Sequence, residues 1–135
     1  MQAMQEQPIR QNVPVKMYRS EDRLTIVAPM PGLEPENIHV DITGAGHLIL
    51  DGQVRGLLKG VKELLIDEWT IGDYHRDLSL PNAVDGEAAN VTYGNGVLTV
   101  ALPLSQQMRP AHLIMQKIGP DHGERVGNSG HPPLR

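Results

Sequence analysis

Asp73-Tyr-His-Arg-Asp77 places two carboxylates, an imidazole and a guanidinium in one short run. Such a set has the groups for general acid–base work. Period-two spacing, however, sets Tyr74 and Arg76 in alternation with His75 and Asp77, so the simpler reading is a charged strand face held by ion pairs. The histidines (39, 47, 75, 112, 122 and 131) show no H-x-x-x-H or similar ligand spacing. His39 and His47 flank one hairpin and could approach each other, but no metal site is expected. None of the serines (20, 79, 105, 129) sits in a nucleophile-elbow context. Cys 0 excludes disulfides, thiol catalysis and cysteine-ligated zinc, and leaves the redox compartment open. Gly52 to Gly60 contains glycines and a lysine without the order that cradles phosphate. Asn90-Val-Thr92 matches a glycosylation sequon, read as chance where no secretory signal is visible. No catalytic residue, cofactor or metal is expected.

The bulk numbers point the same way. A chain of 135 residues suits one domain with flexible ends. Gly 14 and Pro 11 favour a turn-rich β architecture. With Phe 0 and Trp 1 the core must be built from Val, Ile and Leu. A net charge of −4 argues against a nucleic-acid module, which wants a basic face. Met1 to Gln11 is polar without an apolar signal region. No run approaches the roughly 20 apolar residues of a membrane span. A cytoplasmic location and no membrane partner are the expectations.

The elements that would position these groups are strands. Val13 to Tyr18 reads as a short edge strand and Arg23 to Ala28 as a strand rich in β-branched residues. Pro29-Met-Pro-Gly32 forces a turn. Ile38, Val40 and Ile42 alternate with His39, Asp41 and Thr43; after Gly44-Ala-Gly46, His47 to Val54 returns as another strand. Residues 55–69 are open between two readings. Leu57, Leu58, Val61, Leu64 and Leu65 would share one helix face, although Gly56 and Gly60 each weaken a helix by about 1 kcal/mol. Thr70 to Leu80 ends in a strand. In Ala89 to Pro103, Val91 and Tyr93 alternate with Asn90 and Thr92, and Leu98, Val100 and Leu102 share a face. Asn95-Gly96 between them supplies the positive φ values of a tight hairpin turn. Pro103 stops the second strand. Ser105 to Gly119 is amphipathic at best, and Gly119 to Arg135 should be disordered.

The wording of these segments is specific. A-x-x-x-x-x-N-G-V-L-x-V-x-x-P, from Ala89 to Pro103, resembles the C-terminal signature of the α-crystallin domain of small heat shock proteins. A-P-M-P-G-L-E-P-E-N-I-H-V-D-I followed by L-I-L-D-G is similar to the family's P-G, I-x-V and L-x-I-x-G succession. Y-H-R-D-L-S-L-P resembles its aromatic-x-R-x-aromatic-x-L-P strand, with Arg76 on the characteristic arginine and Leu78 in place of the second aromatic. The resemblance covers residues 13–103. It implies an all-β, immunoglobulin-like antiparallel β-sandwich of about eight strands, between an N-terminal arm (1–12) and a C-terminal extension (104–135).

What the resemblance implies about function is an ATP-independent holdase chaperone that binds unfolding client proteins, with no enzymatic activity. The alternative is a monomeric interaction adaptor of the related co-chaperone sandwich type; an enzyme or sugar-binding sandwich lacks a polar constellation here. In the family, the loop matching residues 52–72 carries a strand that pairs with a partner subunit. That would put Leu64, Leu65, Ile66, Asp67, Glu68, Trp69 and Arg76 at a homodimer interface, with Asp67 or Glu68 satisfying Arg76. This loop is apolar where family loops are usually strongly charged. A groove between the family's fourth and eighth strands accepts an I-x-I tail motif from a neighbour and is a candidate client site. By position it would be lined by Ile38, Val40, Ile42, Ala89, Val91 and Tyr93, which read equally well as ordinary core residues. The tail motif falls at Leu113-Ile-Met115, with Leu113 and Met115 as softer pocket-fillers.

Overall fold

In the computed structural model, residues 10–54, 63–68, 72–116 and 127–128 are described. They form two sheets. The strands are β1 (Arg10–Asn12), β2 (Lys16–Arg19), β3 (Arg23–Pro29), β4 (Ile38–Ile42), β5 (His47–Gly52), β6 (Asp73–Ser79), β7 (Asn90–Gly94), β8 (Val97–Pro103), β9 (Ala111–Gln116) and β10 (Gly127–Asn128). A six-stranded sheet runs β1-β6-β5-β4-β9-β10, and a four-stranded sheet runs β2-β3-β8-β7. Neighbours are antiparallel except β1 and β6, which are parallel. The architecture is an immunoglobulin-like β-sandwich, as the alternating strands and Gly/Pro turns imply.

The period-two pattern decides which side chains meet between the sheets. Leu24, Ile26 and Ala28 of β3 face Leu98, Val100 and Leu102 of β8 across one ladder. Ile38, Val40 and Ile42 of β4 and Leu48 and Leu50 of β5 supply the opposite layer. With no phenylalanine in the chain, branched aliphatics and the buried Met30 and Met115 fill the space. The flexible thioether suits irregular gaps.

Three elements lie beyond residues 13–103. β1 pairs with β6 through Arg10 to Asn12, and Val13 behind it is buried. β9 falls in the segment that reads as only weakly amphipathic, and it adds to the open edge of β4. Ala111, Leu113 and Met115 do alternate, but Ile114 occupies an outward position and blurs the pattern. β10 lies in the stretch expected to be disordered and pairs with β9. Residues 55–62 and Trp69, where helix and swapped strand were both open, lie outside the described residues. Glu63 to Glu68 are exposed and form no helix or strand.

The β7–β8 turn has the chemistry its residues demand. Asn95 has φ 52° and Gly96 φ 80°, the left-handed pair of a type I′ hairpin. The Gly96 carbonyl accepts the Met30 amide at 2.8 Å, and a Cβ on Gly96 would stand 3.1 Å from Pro31 Cβ. Gly96→Ala should therefore cost about 1–2 kcal/mol, mostly left-handed strain. It would appear as a lower urea midpoint at unchanged slope. Gly44→Ala, where an added Cβ meets nothing within 4 Å, is the control and should move stability by less than about 0.5 kcal/mol.

Candidate functional site

The cleft between β4 and β7 is built from strand alternation alone. β4 turns Ile38, Val40 and Ile42 inward from the six-stranded sheet, and β7 turns Val91 and Tyr93 inward from the edge of the four-stranded sheet. Ala89 precedes β7, at the end of a 3-10 turn (Gly86–Ala88) whose Asp85 carboxylate accepts the Glu87 amide at 3.1 Å. All six residues are buried and belong to one continuous core. The structure therefore brings together the expected groove residues, with the cleft filled.

β9 fills it. Val40 stands opposite Leu113 and Ile42 opposite Ala111 in the β4–β9 ladder. Leu113 and Met115 point inward at 6% and 1% exposure, while Ile114 between them is 45% exposed. β10 continues past β9 and approaches β7, closing that side of the sandwich.

Tyr93 gives the cleft its polar floor. Its hydroxyl donates to the Met30 carbonyl at 2.7 Å and accepts the Leu33 amide at 3.4 Å. These bonds tie the Pro29–Gly32 turn to β7. Burial pushes the Tyr93 hydroxyl above its ordinary pKa, against the opposing effect of the Leu33 amide. Tyr74, whose hydroxyl donates to the Pro31 carbonyl at 2.8 Å, is also raised by burial.

The expected interface residues lie elsewhere. Leu64, Leu65 and Ile66 are 64%, 83% and 73% exposed. Asp67 and Glu68 beside them are exposed too. Arg76 faces inward on β6, opposite Leu50. Within the chain its guanidinium donates to the Val13 carbonyl at 2.7 Å, and not to Asp67 or Glu68. The Val13 amide in turn donates to the His75 carbonyl at 3.1 Å. Val13 as the arginine's partner was invisible in the sequence, because its contact depends on β1 lying parallel to β6.

The Asp73–Asp77 run resolves into cross-strand pairs. His75 Nδ1 lies 2.7 Å from Asp51 Oδ1 on β5, with Arg10 alongside at 3.5 Å from the same oxygen. His47 Nδ1 lies 2.7 Å from Asp77 Oδ1. His112 bonds Asp41 across β4–β9 and stacks on His39, ring centroids 5.8 Å apart. His39 and His47 are not partners. Every histidine among the described residues thus stands on the outer face of the six-stranded sheet, three of them beside an aspartate. Ser79 stands opposite His47 in the ladder, but that face is open to water, with His47 and Asp77 side chains 42% and 50% exposed. Nothing there shields a reacting group, so the pairs act as ladder contacts, each worth about 0–1 kcal/mol. Among the described residues no group of three or more His, Asp or Glu is placed to hold a metal ion.

Comparison with known proteins gives one consistent result. The model of the Hsp20/alpha crystallin family matches residues 16–116. The probable 15 kDa heat shock protein of Leptospira interrogans is 30% identical over 90 residues, covering 66% of this chain and 67% of that protein. Heat shock protein 16.0 of Schizosaccharomyces pombe superposes with a TM-score of 0.61 at 21% identity, covering 78% of this chain and 75% of that one. The hspA structure from Xanthomonas axonopodis superposes with a TM-score of 0.62 at 22% identity, covering 72% and 97%. Across three sequence relatives, the matched stretch spans between 59% and 67% of their own length.

The raised Tyr93 has a signed consequence. An unfolded tyrosine ionises near pH 10, whereas the folded cleft keeps Tyr93 neutral to higher pH. Its contribution is fully present below about pH 10 and is lost as pH rises through the folded value. Tyr93→Phe should cost about 1 kcal/mol at pH 8, where the Met30 carbonyl loses its donor. The same variant should lose less stability than wild type between pH 8 and 11. Urea unfolding across that range checks both signs.

Proposed function

We propose, because the chain belongs to the Hsp20/alpha crystallin family, that it is a small heat shock protein acting as an ATP-independent holdase. It would bind partly unfolded client proteins and limit their aggregation, with no chemical step of its own. The family match across almost the whole sandwich carries this reading. The apolar segment Leu64–Ile66, exposed on a chain with little aromatic surface, supports it as a place where another polypeptide can be held. Among the described residues no helix is long and apolar enough to cross a membrane. The proposal places the protein in the cytoplasm.

The proposal extends to a homodimer in which Leu64, Leu65, Ile66, Asp67, Glu68 and Trp69 of one protomer pack against its partner near Arg76. Two features support it. Among the described residues, three consecutive apolar side chains are exposed, and the half-buried Arg76 bonds a carbonyl where a carboxylate would be a stronger acceptor. The cleft of Ile38, Val40, Ile42, Ala89, Val91 and Tyr93 is proposed as the seat for Leu113 and Met115, and for client segments when that seat is vacant.

The direct test is light scattering from a heat-destabilised client, without nucleotide, as the protein is titrated in. Suppression near stoichiometric amounts is expected; none at large excess would remove the holdase reading. Leu65→Asp should weaken the dimer at least tenfold, or about 1.4 kcal/mol, with no damage to a core it does not enter. Arg76→Ala should lower both solution mass and melting temperature. Mass unchanged in both variants would count against this interface.

A further inference from the structure

Residues 10–13 lie along the outer edge of β6 as a strap. Arg10, Gln11 and Asn12 run parallel to Asp73, Tyr74 and His75. Gln11 Nε2 donates to the Gly72 carbonyl at 3.0 Å. The Val13 amide donates to the His75 carbonyl at 3.1 Å, and the Val13 side chain is 1% exposed. Its carbonyl accepts the Arg76 guanidinium at 2.7 Å. The strap therefore covers the edge of β6 and occupies the guanidinium behind it. None of these holds involves a side chain that titrates near neutral pH.

Arg10 makes a contact that does. Its Nη2 lies 3.0 Å from His75 Nδ1 and 3.5 Å from Asp51 Oδ1, while the same His75 nitrogen lies 2.7 Å from that Asp51 oxygen. One ring nitrogen offers either a lone pair or a hydrogen, never both. A neutral imidazole with its hydrogen on Nε2 accepts Arg10 at Nδ1. A protonated imidazole carries hydrogens on both nitrogens, so Nδ1 donates to Asp51 and Arg10 loses its acceptor. Two cations then stand at the same 3.0 Å spacing and repel. The His75 side chain is 30% exposed, so a proton reaches it without unfolding.

The remaining charges on this face do not cancel the effect. Along β6, His75 lies between Asp73 and Asp77 at alternate positions; it stands opposite Asp51 on β5, with His39 of β4 beyond it. Asp77 is paired with His47 at 2.7 Å, and Asp73 accepts the Val54 amide at 3.0 Å. These carboxylates attract Arg10 and a charged His75 alike, and His39 lies on the far side of Asp51 from the strap. The repulsion that acts on the strap is the one between Arg10 and His75.

We propose that the Arg10–His75 contact is a proton-operated latch: a neutral His75 keeps the strap down, and proton uptake releases Arg10, raising the fraction of molecules in which residues 10–13 leave the β6 edge. The Arg10 side chain is 65% exposed, so the open population rises modestly, by roughly two- to fivefold. Opening uncovers the backbone edge of β6 and frees Arg76 to take a carboxylate in place of a carbonyl. That consequence rests on the proposed homodimer at Arg76; the latch does not.

Hydrogen exchange of the Val13 amide in the full chain reads the strap, because that amide is bonded to β6. Dividing the wild-type rate by that of His75→Gln at the same pH cancels the intrinsic pH dependence of exchange, since a glutamine amide can accept Arg10 and donate to Asp51 at any pH. The ratio should rise roughly two- to fivefold between about pH 8 and about pH 6. His75→Lys, charged throughout, should keep the ratio high at both ends. Arg10→Gln, an exposed change that leaves β6 intact, should abolish the rise. A wild-type ratio that stays flat, or a rise that survives in Arg10→Gln, would overturn the latch.

Sedimentation over the same pH range then reads Arg76. The dimer dissociation constant of wild type, relative to His75→Gln, should fall by the factor seen in exchange. Exchange that responds while this constant does not would overturn the link between strap and Arg76. Chains that stay monomeric in every variant would defeat the homodimer reading instead, and the Val13 amide would still decide the latch.

Discussion

A six-stranded sheet cannot be covered by a four-stranded one, and the rest of this structure follows from that mismatch. The central strands of the wider sheet, β5 and β4, have apolar neighbours across the gap and bury their inward residues completely. The flanking strands do not, and each flank answers differently. On one side β9 turns Leu113 and Met115 inward, where both are buried, and β10 comes up against β7. On the other, β6 turns Tyr74, Arg76 and Leu78 inward, and Tyr74 and Arg76 pack with their stems and keep polar tips near the rim. One flank therefore seals itself, and the other ends in groups that can still meet a partner.

The polar groups follow the same division. Three inward polar tips are answered by backbone carbonyls, Tyr93 by Met30, Tyr74 by Pro31 and Arg76 by Val13, whereas the buried side-chain oxygens of Asn37 and Asn90 have no hydrogen-bond partner among the described residues. Each bond joins a strand to a segment distant in sequence, so these side chains fix loop positions that aliphatic packing alone would leave loose. Imidazoles and carboxylates are kept to the outer face, where water screens them and their pairs span neighbouring strands. A composition with acids and histidines close together thus yields a stitched surface rather than a reaction centre.

The sequence makes local features legible and leaves register hidden. The β7–β8 hairpin can be read from Asn95-Gly96 and its flanking alternation because both signals lie within a few residues. Inward-facing Ile38, Val40 and Ile42 can be read the same way. That His75 meets Asp51 and not Asp73, or that Arg76 meets Val13, depends on which strands are neighbours and in what register, and no short window contains that. β9 is hidden for another reason. Its outward Ile114 breaks the polar half of the alternation, and its neighbour β4 is about seventy positions away in the chain. Resemblance to a family supplied the tail motif's position and implied a neighbour's cleft, whereas here Leu113 stands opposite Val40 of its own chain.

Edge strands are where a sandwich must either stop or continue into another molecule. β4 would be such an edge if the chain ended with β8; β9 supplies its missing partner from the next available segment, tethered at Arg109. The four-stranded sheet ends at β2, whose outward Tyr18 is 53% exposed and which pairs only with β3 among the described strands. The inward Met17 packs against the core from that edge. Among the described strands β2 keeps one edge unpaired, as β7 does at the other end of the same sheet. Segment 63–68 carries exposed apolar and acidic side chains, and β2 carries Lys16 and Arg19. The described chain thus has unlike edges, one followed by its own β9 and one left bare at β2.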